Sequence, residues 1–88
     1  MKRDKALKIA EGLVSEKRAS VYGDARLNHQ RIANMWSVIF GIKVQVWMVY
    51  LAMVAVKMSR IMNKPEHEDS WIDICGYGAL GAEEKEDK

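Results

Sequence analysis

An all-α fold is predicted by three features of the sequence. Apolar residues recur at helical spacing from end to end. Breakers are few: one proline, Pro65, and six glycines, with no Ser/Gly-rich linker between them. The longest apolar run, VWMVYLAMVAV at 46–56, is flanked by segments of helical pattern. Its valines are also compatible with a strand, and its length favours a helix. Eighty-eight residues make one domain. Four helices are expected, over residues 1–82, followed by a charged tail at 83–88.

Asp4 is placed to cap a first helix running to about Arg18, with Leu7, Ala10 and Val14 on one face and Ile9 and Leu13 beside it. Tyr22-Gly23-Asp24 breaks the chain. The second helix is expected over Ala25–Phe40. Ile32, Met35, Trp36, Ile39 and Phe40 form its apolar stripe, and Gly41 its C-terminal cap. The third runs from about Val44 to Met62. Being apolar all round over 46–56, it is expected to be largely buried. A small four-helix protomer cannot surround one of its own helices, so this helix is expected to form the seam of a homo-oligomer. Eleven apolar residues rise only ~16 Å, too short to span a bilayer. Asn63-Lys64-Pro65 is the next break, and Asp69 or Ser70 is suited to cap a last helix ending near Leu80.

Composition excludes several function classes. A hydrophobic fraction of 49% is too high for a disordered chain. A net charge of +2 is too small for a nucleic-acid coat, so no stable nucleic-acid complex is expected. A single cysteine, Cys75, forms no intrachain disulfide, and it reads as a small buried hydrophobe. A domain this short buries only about 60–65% of the surface its unfolded chain exposes, and an oligomer would supply more. No targeting segment is visible, which makes a cytoplasmic protein the expectation. Phosphate-binding glycine loops, a His-Glu-x-x-His motif and a nucleophile elbow are all absent.

The charges are unevenly placed. Between Asp24 and Glu66 there is no acid, while Arg26, His29, Arg31, Lys43, Lys57, Arg60 and Lys64 fall in that stretch. Lys57 and Arg60, three apart, share a helical face. They serve either as cations at a helix C-terminus or as a phosphate clamp. Asp69 and Asp73, four apart, repel on one face unless something offsets them. Mg²⁺ is one candidate, and Lys57 or Arg60 is the other. Asp69 is equally a helix cap, and Asp73 equally a solvated residue. His29 and His67 read as solvated side chains without a role. Tyr22 and Tyr77 could stack on a base, or sit half-buried with the hydroxyl in water. The tryptophans and methionines read as core or seam.

The arrangement Tyr22-Gly23-Asp24, Asn28, Trp36-Ser37, Lys57-x-x-Arg60 and Pro65-x-His67-x-Asp69-Ser70-x-x-Asp73-x-x-Gly76-Tyr77 resembles a group of small phage-encoded proteins. That group is similar in turn to the all-α nucleoside triphosphate pyrophosphatases of the MazG type. The resemblance implies a helical protomer that assembles with copies of itself and a nucleotide site between helices. In MazG-type enzymes two pairs of acids on consecutive helices hold Mg²⁺. Glu66-x-x-Asp69 or Asp69-x-x-x-Asp73 resembles the second pair, whereas no acid stands where the first pair would be.

The function expected from these readings is binding of a nucleotide-derived small molecule, as in phage sequestration of a host defence signal. Lys57 and Arg60 would hold its phosphates, Tyr22 or Tyr77 its base, and Asn28, Asp69 or Asp73 its polar groups. The alternatives are an Mg²⁺-dependent pyrophosphohydrolase with Asp69 and Asp73 as metal ligands, and a structural protein in which these residues form ion pairs. No catalytic residue is assigned.

Overall fold

The computed structural model describes residues 1–15 and 23–86. Among them are four α-helices and no strand: α1 (Arg3–Leu13), α2 (Ala25–Phe40), α3 (Val46–Asn63) and α4 (Glu68–Glu86). The all-α expectation holds.

α2 has the expected bounds because both ends are chemically marked. Gly23 takes a left-handed φ of 87°, and the Asp24 carboxylate accepts the Arg26 N–H at 3.1 Å as N-cap. At the other end Gly41, with φ 68°, donates its N–H to Ser37 O. The Ser37 hydroxyl donates to Ala33 O at 2.8 Å and accepts the Val44 N–H at 2.8 Å, fastening the end of α2 to the segment leading into α3. The buried side of α2 is not the predicted stripe. Ala33 is fully buried, with His29, Ile32 and Trp36 half-buried beside it, while Met35, Ile39 and Phe40 are exposed.

α3 and α4 form the most extensive helix pair. Lys57 meets Asp73 and Tyr50 meets Tyr77, while Trp47 meets Lys85. As α3 numbers fall, α4 numbers rise, so the pair is antiparallel. Val46, Val49 and Tyr50 are buried, whereas Leu51, Met58 and Met62 are exposed by 59%, 54% and 84%. The expectation of a largely buried third helix is therefore corrected for the single protomer, which covers only one side of it.

α1 packs on α4 through Ala10, and α2 packs on α3. Asp4 lies inside α1 rather than capping it, its carboxylate accepting the Lys5 N–H. Leu7 and Ile9 face outward. The predicted continuation of α1 to Arg18 falls partly outside the described residues. α4 does not stop at Leu80. It continues because Glu84 is buried against Arg26 and the Lys85 ammonium lies 5.1 Å from the Trp47 ring centre. At its start, the Ser70 hydroxyl lies 3.0 Å from His67 Nδ1, and Trp71 Nε1–H donates to Pro65 O at 2.8 Å. His67 thus organises the turn into α4. Ser70 contributes to that turn, whereas Asp69 stands exposed in the first turn.

Replacing Ser37 by Ala strands the Val44 N–H without its acceptor. Urea denaturation of Ser37→Ala is expected to show a loss of about 1–2 kcal/mol, the cost of an unsatisfied, part-buried backbone donor.

Candidate functional site

A cleft of about 550 Å³ opens between the C-terminal end of α1, the N-terminal end of α2 and the middle of α4. That is within the range of small-molecule sites, roughly 300–1,000 Å³. Local structure explains who lines it. Gly23 turns the chain so that Asn28 tucks under it; a Cβ there would lie 3.3 Å from Asn28 Nδ2. On α4, Asp73 and Tyr77 are one turn apart on the cleft side, and buried Gly76 lies between them. Val14, at the end of α1, packs beside Gly76, 3.7 Å from where a Cβ would stand, an ordinary contact distance.

Three of the seven residues singled out in the sequence meet here: Asn28, Asp73 and Tyr77. Lys57 stands behind the wall. It is 12% exposed, and its ammonium lies 3.0 Å from Asp73 Oδ2, which offsets the Asp69–Asp73 repulsion. Arg60 and Asp69 are exposed and do not line the cleft. Tyr22 lies outside the described residues. The phosphate clamp of Lys57 and Arg60 is thus not assembled at the cleft.

Asp69 and Asp73 do not share a pocket, and Asp73 already holds an ammonium. Among the described residues no three His, Cys, Asp or Glu side chains gather as metal ligands. Among the described residues, Asp69 and Asp73 are therefore not brought together as a pair of metal ligands.

Two lining residues acquire roles that sequence reasoning missed. Asp24 caps α2 and faces the cleft. His29 has its Nδ1 2.6 Å from Ala25 O, and its ring packs on Tyr50 (5.0 Å between centres) and edge-on to Tyr77 (5.8 Å). No signal in the sequence marked it, because α2 carries apolar residues around most of its circumference.

Beside the cleft, Arg26 grips Glu84 with two N–H donors, at 2.6 and 3.1 Å. That hydrogen bond, then the carboxylate's charge, raises the guanidinium pKa above its usual value. Tyr50 is buried, and its hydroxyl has no hydrogen-bond partner among the described residues. Burial, then the charge of Glu84, pushes its pKa up to about 12 against the partial opposition of Arg26.

Two consequences are measurable in Tyr50→Phe. At neutral pH the substitution removes an unsatisfied buried hydroxyl and is expected to raise stability by about 1 kcal/mol. In the native protein the unfolded chain releases the phenolic proton near pH 10, whereas the folded chain holds it to about pH 12. Stability from this group is therefore complete below pH 10 and is lost as pH rises to 12. Denaturation curves across that interval should show this alkaline loss in the native protein and its absence in Tyr50→Phe.

No helix among the described residues is long and apolar enough to cross a membrane. No solved structure matches the chain. It is 36% identical over 75 residues to the Gene 55 protein of Mycobacterium phage L5. The match covers 84% of this chain and 48% of that protein, so the chain spans about half the length of that relative. A family model described as Domain of unknown function (DUF6378) matches residues 5–85, nearly the whole four-helix unit. The chain therefore belongs to the DUF6378 family.

Proposed function

We propose that this chain binds a nucleotide-derived small molecule in the α1–α2–α4 cleft and holds it without turnover. One observation carries the reading: a single cleft of suitable volume collects an aromatic ring (Tyr77), an imidazole (His29), an amide (Asn28) and a carboxylate (Asp73). Tyr77 offers a face or edge to a base, and Asn28 and Asp73 offer hydrogen-bonding groups around it. The phage relative fits sequestration of a nucleotide signal raised by a host's defences. Sequestration needs a ligand bound one for one, which a small, cheaply made domain supplies. A pyrophosphohydrolase of the MazG type would need a carboxylate cage for Mg²⁺, and the described residues offer none.

The test is thermal shift against nucleoside triphosphates, ADP-ribose derivatives and cyclic dinucleotides, each with EDTA and with Mg²⁺, followed by chromatography. A ligand at 100 times its Kd should stabilise by about 2.7 kcal/mol, in EDTA, and be recovered intact. Tyr77→Leu and Asn28→Ala should abolish the shift. Mg²⁺-dependent release of pyrophosphate would favour the hydrolase instead, and no shift from any compound would overturn the binding reading.

We also infer that the protomer assembles with copies of itself. Each of α2 and α3 carries a second apolar stripe opposite its buried one: Met35, Val38 and Ile42 follow α2, and Leu51, Met58 and Met62 follow α3, all at least 54% exposed. The radius of gyration is 13.8 Å, against about 12 Å for a compact domain of this length. Light scattering should give at least twice the 10.1 kDa chain mass. Val38→Glu with Met62→Glu should reduce it to one chain. A native protein that stays monomeric at 100 µM or so, about the upper end of ordinary transient affinities, would remove the proposal.

A further inference from the structure

We infer that the cleft takes the nucleoside end of its ligand, with ribose hydroxyls donating to Asp73 and to Nε2 of His29, and leaves the phosphates outside. This rests on the nucleotide-binding reading above and says which part of the molecule is read.

The charges come first. Among the described residues, Asp24, Asp73 and Glu83 line the cleft against one cation, Arg26; with His29 neutral, three minus one leaves a net of two negative charges from these residues. Among the described residues, the two cations at and behind the cleft already have anions. Arg26 holds Glu84 in a two-pronged pair, and Lys57 holds Asp73. The N-terminus of α2 would ordinarily attract a phosphate, but the Asp24 carboxylate sits there, 3.1 Å from the Arg26 N–H. A phosphate entering the cleft would meet like charge in a partly dehydrated space, where repulsion is strong.

The hydrogen-bonding character of the wall agrees. A carbonyl oxygen only accepts, so the short contact to Ala25 O places a proton on His29 Nδ1. In the neutral ring Nε2 is then a bare acceptor, and no partner for it exists among the described residues. The tyrosines beside the ring fix its plane. Asp73 gives one oxygen to Lys57 and keeps acceptor capacity on the other. Such a wall is rich in acceptors and suits a ligand part rich in donors. A ribose, with two neighbouring hydroxyls beside a base that packs on Tyr77, has that character; a triphosphate is all acceptor.

Calorimetry in EDTA tests this with the four common ribonucleosides, their 2′,3′-dideoxy counterparts, their 5′-triphosphates and inorganic pyrophosphate. At least one ribonucleoside should bind within about tenfold of its triphosphate. Its dideoxy counterpart should bind at least about tenfold more weakly, the value of one good hydrogen bond. Pyrophosphate should neither bind nor displace it. His29→Phe keeps a ring against both tyrosines and removes the acceptor. It should bring the ribo/dideoxy affinity ratio down toward that of the remaining Asp73 bond, a change that mere loosening of the fold would not produce. If that variant fails to fold, the native ratio and the pyrophosphate competition still decide. Triphosphates that bind while ribonucleosides do not, or displacement by pyrophosphate, overturn this orientation and leave nucleotide binding standing. Failure of every nucleoside and nucleotide to bind overturns both.

Discussion

The antiparallel seam of α3 and α4 is the constraint on which the rest of the molecule depends. Three cross-contacts set its register: Lys57 with Asp73, Tyr50 with Tyr77, and Trp47 with Lys85. A slip of one residue would rotate Asp73 and Tyr77 by about 100° around α4 and empty the cleft of both. The Lys57 ammonium therefore acts on the site without touching it, by holding one Asp73 oxygen and so orienting the other. The same register brings Glu84 alongside the start of α2, where Arg26 closes on it. That contact carries α2, and Asn28 and His29 with it, to the cleft wall.

Charge compensation runs through the whole arrangement. An acid-free stretch of forty-one residues lies between Asp24 and Glu66, and it would leave its cations unmatched in an extended chain. Folding answers two of them from α4: Lys57 finds Asp73 and Arg26 finds Glu84. Glu84 is 7% exposed, so its carboxylate loses water on folding and needs the guanidinium in return. The cost appears next door, where the Tyr50 hydroxyl is buried without a hydrogen-bond partner among the described residues and holds its proton more tightly for the same reasons. Among the described residues, pairing of this kind neutralises the two cations at and behind the cleft, Arg26 and Lys57.

The limits of α2 are legible in the sequence because Asp24 and Gly41 act locally, through a side-chain acceptor and a left-handed backbone. Which side of α2 and α3 faces inward is not, because both helices carry apolar residues around most of their circumference. Ile39 and Val49 have the same hydropathic character, yet one is 70% exposed and the other fully buried. Partners across the fold decide such cases. The extent of α4 was hidden likewise: a tail reading Glu-Glu-Lys-Glu looks solvated until Arg26 and Trp47 are seen beside it. At the site, residues chosen for side-chain chemistry divided by position. Asn28, Asp73 and Tyr77 converge, whereas Asp69 lies too near the start of α4 and Arg60 stands on α3, which lends no residue to the cleft. His29 was missed because an isolated histidine in a sequence carries no sign of the backbone carbonyl that fixes its proton.

The thinness of the core bears directly on how such a cleft can work. Among the described residues only six hydrophobic side chains are buried, two of them alanines, and α1 contributes just Ala10. The end of α1 forms one wall of the cleft and leans on α4 where Val14 meets Gly76. Little apolar area holds that wall, so the α1–α4 contact belongs to the weaker part of the fold. A ligand spanning α1 and α4 would add contacts where the protein has fewest. Part of its binding free energy would then be spent on ordering the wall, which lowers affinity relative to a rigid site of the same lining. An assembly that buried the outer stripes of α2 and α3 would steady the opposite wall, leaving the α1 side as the face that closes on the ligand.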